Sequence, residues 1–83
     1  MPKSERPKPA HLPSKLKAIR TKLGYSQGEM LIELGLQDTH NRSVISGYEL
    51  GTKEPPLPIL LRYARSVGIS TDELIDDEMK LKL

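Results

Sequence analysis

The stretch Tyr25-Ser-Gln-Gly-Glu-Met-Leu-Ile-Glu-Leu-Gly35, with Val44-Ile-Ser-Gly-Tyr-Glu-Leu-Gly51 after it, decides the fold of this chain. Each part has the pattern of a short helix that ends at a glycine, the residue that most readily takes the left-handed conformation of a helix end. Ser26 and Glu29 have the spacing of a capping box, in which each side chain binds the other residue's backbone N–H. The stretch therefore predicts two short helices joined by a connection.

Both segments have one apolar and one polar side. Inward-facing residues are predicted to be Met30, Leu31 and Leu34 in the first segment, and Ile45 and Tyr48, with Val44 or Glu49 beside them, in the second. Asn41 is predicted to cap the second helix. Its other face has Arg42, Ser43, Ser46 and Gly47. A short helix with small polar residues outside and a basic residue in its first turn is suited to the major groove of DNA.

Several motifs together resemble the DNA-binding domain of Cro, phage repressors and Xre-type regulators. They are Gly-Tyr-Ser-Gln-x-Glu-Met at 24–30, Leu34-Gly35, Val-Ile-Ser-x-Tyr-Glu-x-Gly at 44–51, Pro-x-Pro-x-Leu at 56–60 and Gly-Ile-Ser-x-Asp-Glu-Leu at 68–74. Each motif alone is weak, but they occur in order across residues 12–76. The resemblance implies an all-α, compact five-helix, lambda-repressor-like helix-turn-helix domain. It also implies a homodimer on a palindromic operator in double-stranded DNA.

The chain divides into a flexible basic arm at 1–11, the helix-turn-helix domain at 12–77 and a C-terminal tail at 78–83. Prolines among charged residues prevent a helix in the arm. The arm either follows the DNA backbone or minor groove, or is a leader without a role. The tail alternates apolar and basic residues from Met79 to Leu83, which is typical of a strand. It would pair with a second copy of the chain, or it is frayed.

The first helix is expected to start near Pro13 or Ser14 and to end at Gly24. An apolar stripe faces the core and consists of Leu12, Leu16, Ile19 and Leu23. Arg20 stands beside this stripe. The family resemblance implies a structural ion pair between Arg20 and Glu49, which would fix the orientation of the third helix more than it would add stability.

Two further helices are predicted after the proline-rich turn at 55–58. The core face of the fourth helix would be Leu57, Leu60, Leu61, Ala64 and Val67, with Gly68 as its stop. Ser70 and Glu73 have capping-box spacing and would open a short fifth helix that contains Leu74 and Ile75. These residues are expected to be scaffold.

The predicted DNA-binding residues are Gln27, His40, Asn41, Arg42, Ser43, Ser46, Gly47, Thr52 and Lys53. Arg42 is expected to set specificity, because a guanidinium can donate two hydrogen bonds to guanine, with a phosphate contact as its main competitor. Gln27 could contact either phosphate or a base edge. The resemblance implies backbone contacts for Thr52 and Lys53. Gly47 has no side chain, which shifts base recognition toward Arg42 and its neighbours.

The connection at 36–43 is about four residues longer than the compact turn of the family. Asp38 or Thr39 could cap an earlier start of the third helix, and His40, Asn41 and Arg42 would then lie in its first turn. His40 is otherwise a loop residue rather than a metal ligand, since His11 is the only other histidine.

Composition limits the classes of protein to which this chain can belong. The chain has 83 residues, enough for one small core, and no cysteine. Its net charge of +2 is unevenly distributed: +6 in residues 1–25, −1 in residues 26–69 and −3 in residues 70–83. A basic end favours phosphates through counterion release, and an acidic end is left for protein contacts. No apolar run has the length of a membrane span, and no signal peptide is indicated, so a cytoplasmic protein is expected.

The sequence thus predicts a DNA-binding transcriptional regulator, a homodimeric repressor without cofactor or metal. The alternative is a protein-interaction module or antitoxin-like protein on the same fold, whose partner binds the C-terminal segment and whose DNA binding is weak or lost. An enzyme is not expected, because there is no paired histidine, cysteine nucleophile or glycine-rich phosphate loop.

Overall fold

The computed structural model describes residues 9–83 and contains five helices in that range. They are α1 (Leu12–Leu23), α2 (Gln27–Glu33), α3 (Ser43–Leu50), α4 (Leu57–Ser66) and α5 (Asp72–Ile75). No strand occurs among residues 9–83. The predicted all-α, five-helix architecture is confirmed. Most of the predicted basic arm lies outside the described residues.

One apolar core holds the helices together. α1 packs against α3 and α5, and α2 packs against α3. The buried side chains that fill the centre are Leu16, Ile19, Met30, Leu34, Ile45, Tyr63 and Leu74. Burial of a large aliphatic side chain contributes roughly 1.5–3 kcal/mol, so these contacts dominate the stability of the domain.

The helix boundaries around the turn follow their capping residues. The Ser26 hydroxyl accepts the Glu29 N–H at 3.0 Å, and the Glu29 carboxylate accepts the Ser26 N–H at 2.7 Å. The predicted capping box is therefore confirmed. Gly24 caps the C-terminal end of α1 and Gly51 that of α3, with φ angles of 75° and 81°. Glycine is favoured at both positions because a Cβ atom is strained there.

The predicted core face of α4 is partly wrong. Leu57 and Leu61 are exposed, whereas Ile59 and Tyr63 are buried together with Leu60 and Ala64. Apolar residues cover so much of this helix that the period alone does not choose between two adjacent faces. The helix does end next to Gly68, whose φ angle is 72°.

The predicted capping box at the start of α5 is also wrong. Thr71 is the residue before the helix, and no side chain caps it. The N–H of Glu73 instead donates to the backbone carbonyl of Ser70 at 3.2 Å. The Glu73 carboxylate accepts the N–H of Lys82 at 3.1 Å, so this side chain is directed to the C-terminal tail.

The C-terminal segment folds back onto α1. Lys15 is buried, and its ammonium donates to three backbone carbonyls: Glu73 at 2.7 Å, Met79 at 2.8 Å and Asp76 at 2.9 Å. Leu81 packs against the core. Within the single chain the Met79 carbonyl binds Lys15 and the Lys82 N–H binds Glu73, and pairing of residues 79–83 with a second copy stays a prediction. Among residues 9–83 no helix has the length and apolar character needed to cross a membrane.

Candidate nucleic-acid interface

The N-terminal end of α3 is shaped by Asn41. Its side-chain oxygen accepts the Ser43 N–H at 2.9 Å and also the Ser43 hydroxyl. Arg42 is the residue that directly precedes the helix and makes no side-chain cap. Asn41 therefore lies one residue before the capping position, which Arg42 occupies. Its side chain still accepts one N–H group from the first turn of the helix.

The earlier helix start considered for Asp38 or Thr39 is wrong. The N–H groups of Thr39 and His40 both donate to the Leu36 carbonyl, at 3.1 and 2.9 Å, and form a separate turn. The Thr39 hydroxyl lies 2.8 Å from Nδ1 of His40. Leu36 is buried and anchors this connection to the core. His40 and Asn41 therefore lie in the loop before α3, not in its first turn.

The outward side of α3 carries the predicted contact residues. Arg42 and Ser43 are exposed, and Ser46 is half-buried. Val44 is buried, which confirms its assignment to the core. The side chain of Arg42 has no hydrogen bond or ion pair within residues 9–83, so its guanidinium is available to a ligand.

Gly47 lies on this side of α3 but is buried, contrary to the exposed position predicted for it. A Cβ atom placed on Gly47 would stand 3.0 Å from Cγ and Cδ of Lys53. The aliphatic part of Lys53 therefore crosses the helix where Gly47 has no side chain. The glycine places the lysine directly beside the outer surface of α3, a relation that the sequence pattern did not reveal.

The backbone N–H groups of Thr52 and Lys53 are already used. Both donate to the Gly47 carbonyl, at 3.0 and 3.2 Å. A contact between this turn and a ligand would therefore come from side chains. Lys53 is exposed and offers an ammonium group for that purpose.

The predicted ion pair between Arg20 and Glu49 is confirmed. Nε of Arg20 lies 2.6 Å from one carboxylate oxygen of Glu49, and Nη2 lies 3.0 Å from the other. Nη1 of Arg20 also donates to the Tyr25 carbonyl at 2.9 Å. The side chains are only 16% and 5% exposed. Hydrogen bonding to Glu49 raises the pKa of Arg20 above its usual value, and the two-pronged contact fixes α3 relative to α1.

Tyr63 is fully buried, and its hydroxyl is influenced by the charges of this pair. Burial, followed by the negative charge of Glu49, raises its pKa well above the usual value for tyrosine. Its hydroxyl has no hydrogen-bond partner in the described part of the chain.

Gln27 is attached to the same network. Its amide nitrogen donates to Glu49 at 3.4 Å, which orients the side chain across the gap between α2 and α3. A small concavity of about 140 Å³ opens there and is lined by Lys17, Arg20, Gln27, Ser46, Glu49 and Leu50. Two predicted contact residues, Gln27 and Ser46, thus share one surface. Lys17, which sequence reasoning did not select, lies on it as well.

The first described residues lie beside the turn that follows α3. Pro9 and Ala10 line a groove together with Gly51 and Lys53. The structure therefore brings the point where the basic arm joins the domain next to the turn after α3. The arm's predicted contact with DNA falls on residues 1–8, outside the described range.

The chain belongs to the helix-turn-helix family, whose model matches residues 16–74. It is similar to the SPbeta prophage-derived uncharacterized HTH-type transcriptional regulator YonR of Bacillus subtilis strain 168, with 39% identity over 61 residues. That match covers 74% of this chain and 53% of the relative, so the chain spans about half the length of that protein.

Two solved structures show the same fold. The P22 c2 repressor protein in complex with synthetic operator 9T in the presence of Tl⁺ has a TM-score of 0.68 at 24% identity, covering 81% of this chain and 96% of that chain. The hypothetical transcription factor NHTF from Neisseria has a TM-score of 0.66 at 23% identity, covering 90% of this chain and 86% of that chain. The predicted lambda-repressor-like fold class is confirmed.

Proposed function

We propose that this chain is a sequence-specific DNA-binding transcriptional regulator that acts as a homodimeric repressor on a palindromic operator. The observation that carries the proposal is the outward face of α3, where Arg42 and Ser43 are exposed and Arg42 has no partner within residues 9–83. Membership of the helix-turn-helix family supports this role. The names of the similar proteins, a transcriptional regulator and a repressor bound to a synthetic operator, support it further.

The orientation of α3 is suited to groove binding. Its inner side is fixed by Ile45 and Tyr48 in the core, and its last turn is fixed by the Arg20–Glu49 pair. A recognition element must be held rigidly, because a small change in its angle moves every side chain relative to the base edges. The ion pair therefore acts on DNA binding by fixing α3.

Arg42 and Lys53 would have different roles. Arg42 precedes the helix and would enter the groove first, where its guanidinium can donate two hydrogen bonds to O6 and N7 of guanine. Lys53 lies across Gly47 and would bind backbone phosphate through its ammonium, since its N–H is occupied by the Gly47 carbonyl. Asn41, Ser43, Ser46, Gln27 and Thr52 complete the proposed surface, with His40 at its edge.

A second copy of the chain would cover an apolar surface formed by α4, α5 and the proline-rich turn before α4. A groove of about 550 Å³ runs between the start of α4 and the end of α5, with Leu57 and Ile75 at its sides. These side chains are 73% and 44% exposed. The occupant that we propose for this groove is a second copy of the chain, because a palindromic operator requires a two-fold dimer. The C-terminal tail, predicted as the dimer strand, is engaged by Lys15 and lies outside this groove.

Selection of bound duplexes from a random DNA pool at near-physiological salt tests this function, with the mass of the complex recorded in parallel. The expected result is an enriched palindromic motif bound by two chains. A motif without symmetry, bound by one chain, would contradict the homodimer but leave sequence-specific binding intact. Binding without any enriched motif, lost as salt rises, would contradict the regulator and favour a protein-interaction module.

A further inference from the structure

We propose that Lys17 on α1, outside the helix-turn-helix, binds a backbone phosphate of the DNA. This inference rests on the proposed function and adds a contact from a third helix. Lys17 is exposed and lines the concavity that also contains Gln27 and Ser46. A duplex that reaches the outward residues of α3 would pass directly over this surface.

Among the charged residues that line the concavity, Lys17 is the cation available to bind a ligand. Arg20 and Glu49 also line it, but they form a two-pronged pair and neutralise each other. The Lys17 ammonium has no hydrogen bond or ion pair within residues 9–83. The concavity therefore carries a net positive charge that comes from this one side chain.

The surroundings of Lys17 favour an anion of the size of a phosphate. Gln27 contributes an amide whose nitrogen is partly directed to Glu49, and Ser46 contributes a hydroxyl. Lysine is a compact point charge on a flexible stem, which suits a phosphate better than a base edge. We therefore expect Lys17 to add affinity without adding sequence preference.

Lys22 supplies a matched control on the same helix. It is exposed and has the same charge, but it lies five residues further on, which places it about 140° around the helix axis from Lys17. Lys22→Gln and Lys17→Gln therefore change the net charge equally and differ only in the face from which the charge is removed. Lys17→Arg keeps the charge in place.

The test measures binding of each variant to the duplex recovered by selection and to a scrambled duplex of equal length, across a range of salt concentrations. Lys17→Gln should reduce the slope of log affinity against log salt by about 0.9, with Lys22→Gln close to the original protein and Lys17→Arg retaining the slope. The ratio of affinities for the two duplexes should stay unchanged in all variants.

Three other outcomes would overturn the proposal. Equal slopes for Lys17→Gln and Lys22→Gln, with the original protein still selecting a motif, would remove the Lys17 contact and leave the proposed function intact. A lower affinity ratio in Lys17→Gln would assign Lys17 to base recognition instead of phosphate. If the original protein binds neither duplex even at low salt, both proposals fail together.

Discussion

Two basic residues of α1 hold the domain together in different ways. Arg20 binds the carboxylate of Glu49 and fixes α3, whereas Lys15 binds three backbone carbonyls and fixes the segment after α5. Both side chains are largely withdrawn from water, with exposed fractions of 16% for the Arg20 side chain and 8% for Lys15. The junction between α1 and α3, made by Arg20, pairs opposite charges. The junction between α1 and the segment after α5, made by Lys15, surrounds a charge with neutral oxygens.

The difference follows from the chemistry of the two side chains. The planar guanidinium of Arg20 matches the two oxygens of a carboxylate and thereby determines the angle between helices. The ammonium of Lys15 has three donors and binds carbonyls in α5 and in the segment after it, at Glu73, Asp76 and Met79. The Arg20–Glu49 contact positions the proposed DNA-binding helix. The contacts of Lys15 hold the segment after α5 against α1.

The largest effect on stability is expected for Arg20→Met. It leaves the Glu49 carboxylate, which is 5% exposed, without a counter-charge. Loss of one partner of such a pair should lower the free energy of unfolding by about 3 kcal/mol. Urea unfolding measures this change. A loss no greater than that of Lys15→Met would contradict the distinction between the two junctions.

Lys15→Met should have the second largest effect. The apolar stem is kept, but three carbonyls lose the hydrogen bond from Lys15, and only that of Asp76 keeps a backbone donor, the N–H of Met79. We expect a loss of about 2 kcal/mol in urea unfolding. Lys17→Met on the same helix is the control and should stay within about 0.5 kcal/mol of the original protein, since Lys17 is exposed.

The double variant Arg20→Met with Glu49→Leu separates stability from orientation. Because no unpaired charge remains, it should lose only about 1 kcal/mol, less than the single Arg20→Met change. Its affinity for the selected duplex should nevertheless fall, since the last turn of α3 loses its polar contact with α1 and keeps only its apolar packing. Unchanged affinity in this stable double variant would show that the pair does not orient α3 for DNA.

The smallest effect is expected at Asp77, which joins the start of α1 to the same C-terminal segment. Its carboxylate accepts the N–H groups of His11 and Ala10, and these bonds, that of His11 first, hold its pKa below the usual 3.8. Since the folded state has the lower pKa, the stabilisation is present above pH 3.8 and is lost as the pH falls below it. Asp77→Asn should therefore melt slightly lower than the original protein at neutral pH, and the gap should close in acid. A constant gap across pH would contradict a role for the charge.

Local patterns and long-range contacts differ in how well the sequence predicts them, and so do the two junctions. The capping box of Ser26 and Glu29 and the stop at Gly51 are local patterns, and the structure confirms them. The Arg20–Glu49 pair followed from the family resemblance, because both partners are side chains at characteristic positions. Lys15 could not be assigned in this way, since its partners are backbone carbonyls, which every residue possesses.

Other differences also arise from tertiary contacts. The face of α4 depended on which of its many apolar residues entered the core, and Leu57 proved to be exposed. Gly47 was predicted on an exposed face, but only the fold shows that Lys53 covers it. Lys17 had no signal beyond its charge, and its position beside Gln27 depends on the angle between α1 and α2. The identities of the proposed DNA contacts remain predictions.

The central claim is that Arg42 at the start of α3 recognises bases whereas Lys53 binds phosphate. The most direct measurement is the selection from a random DNA pool repeated with Arg42→Ala and Lys53→Ala in parallel. We predict that Arg42→Ala loses preference at one base pair of each half-site and about 1–3 kcal/mol of specific affinity, whereas Lys53→Ala recovers the same motif with weaker binding to all sequences. An unchanged motif in Arg42→Ala, with equal loss of affinity for every sequence, would contradict the claim and assign Arg42 to the phosphate backbone.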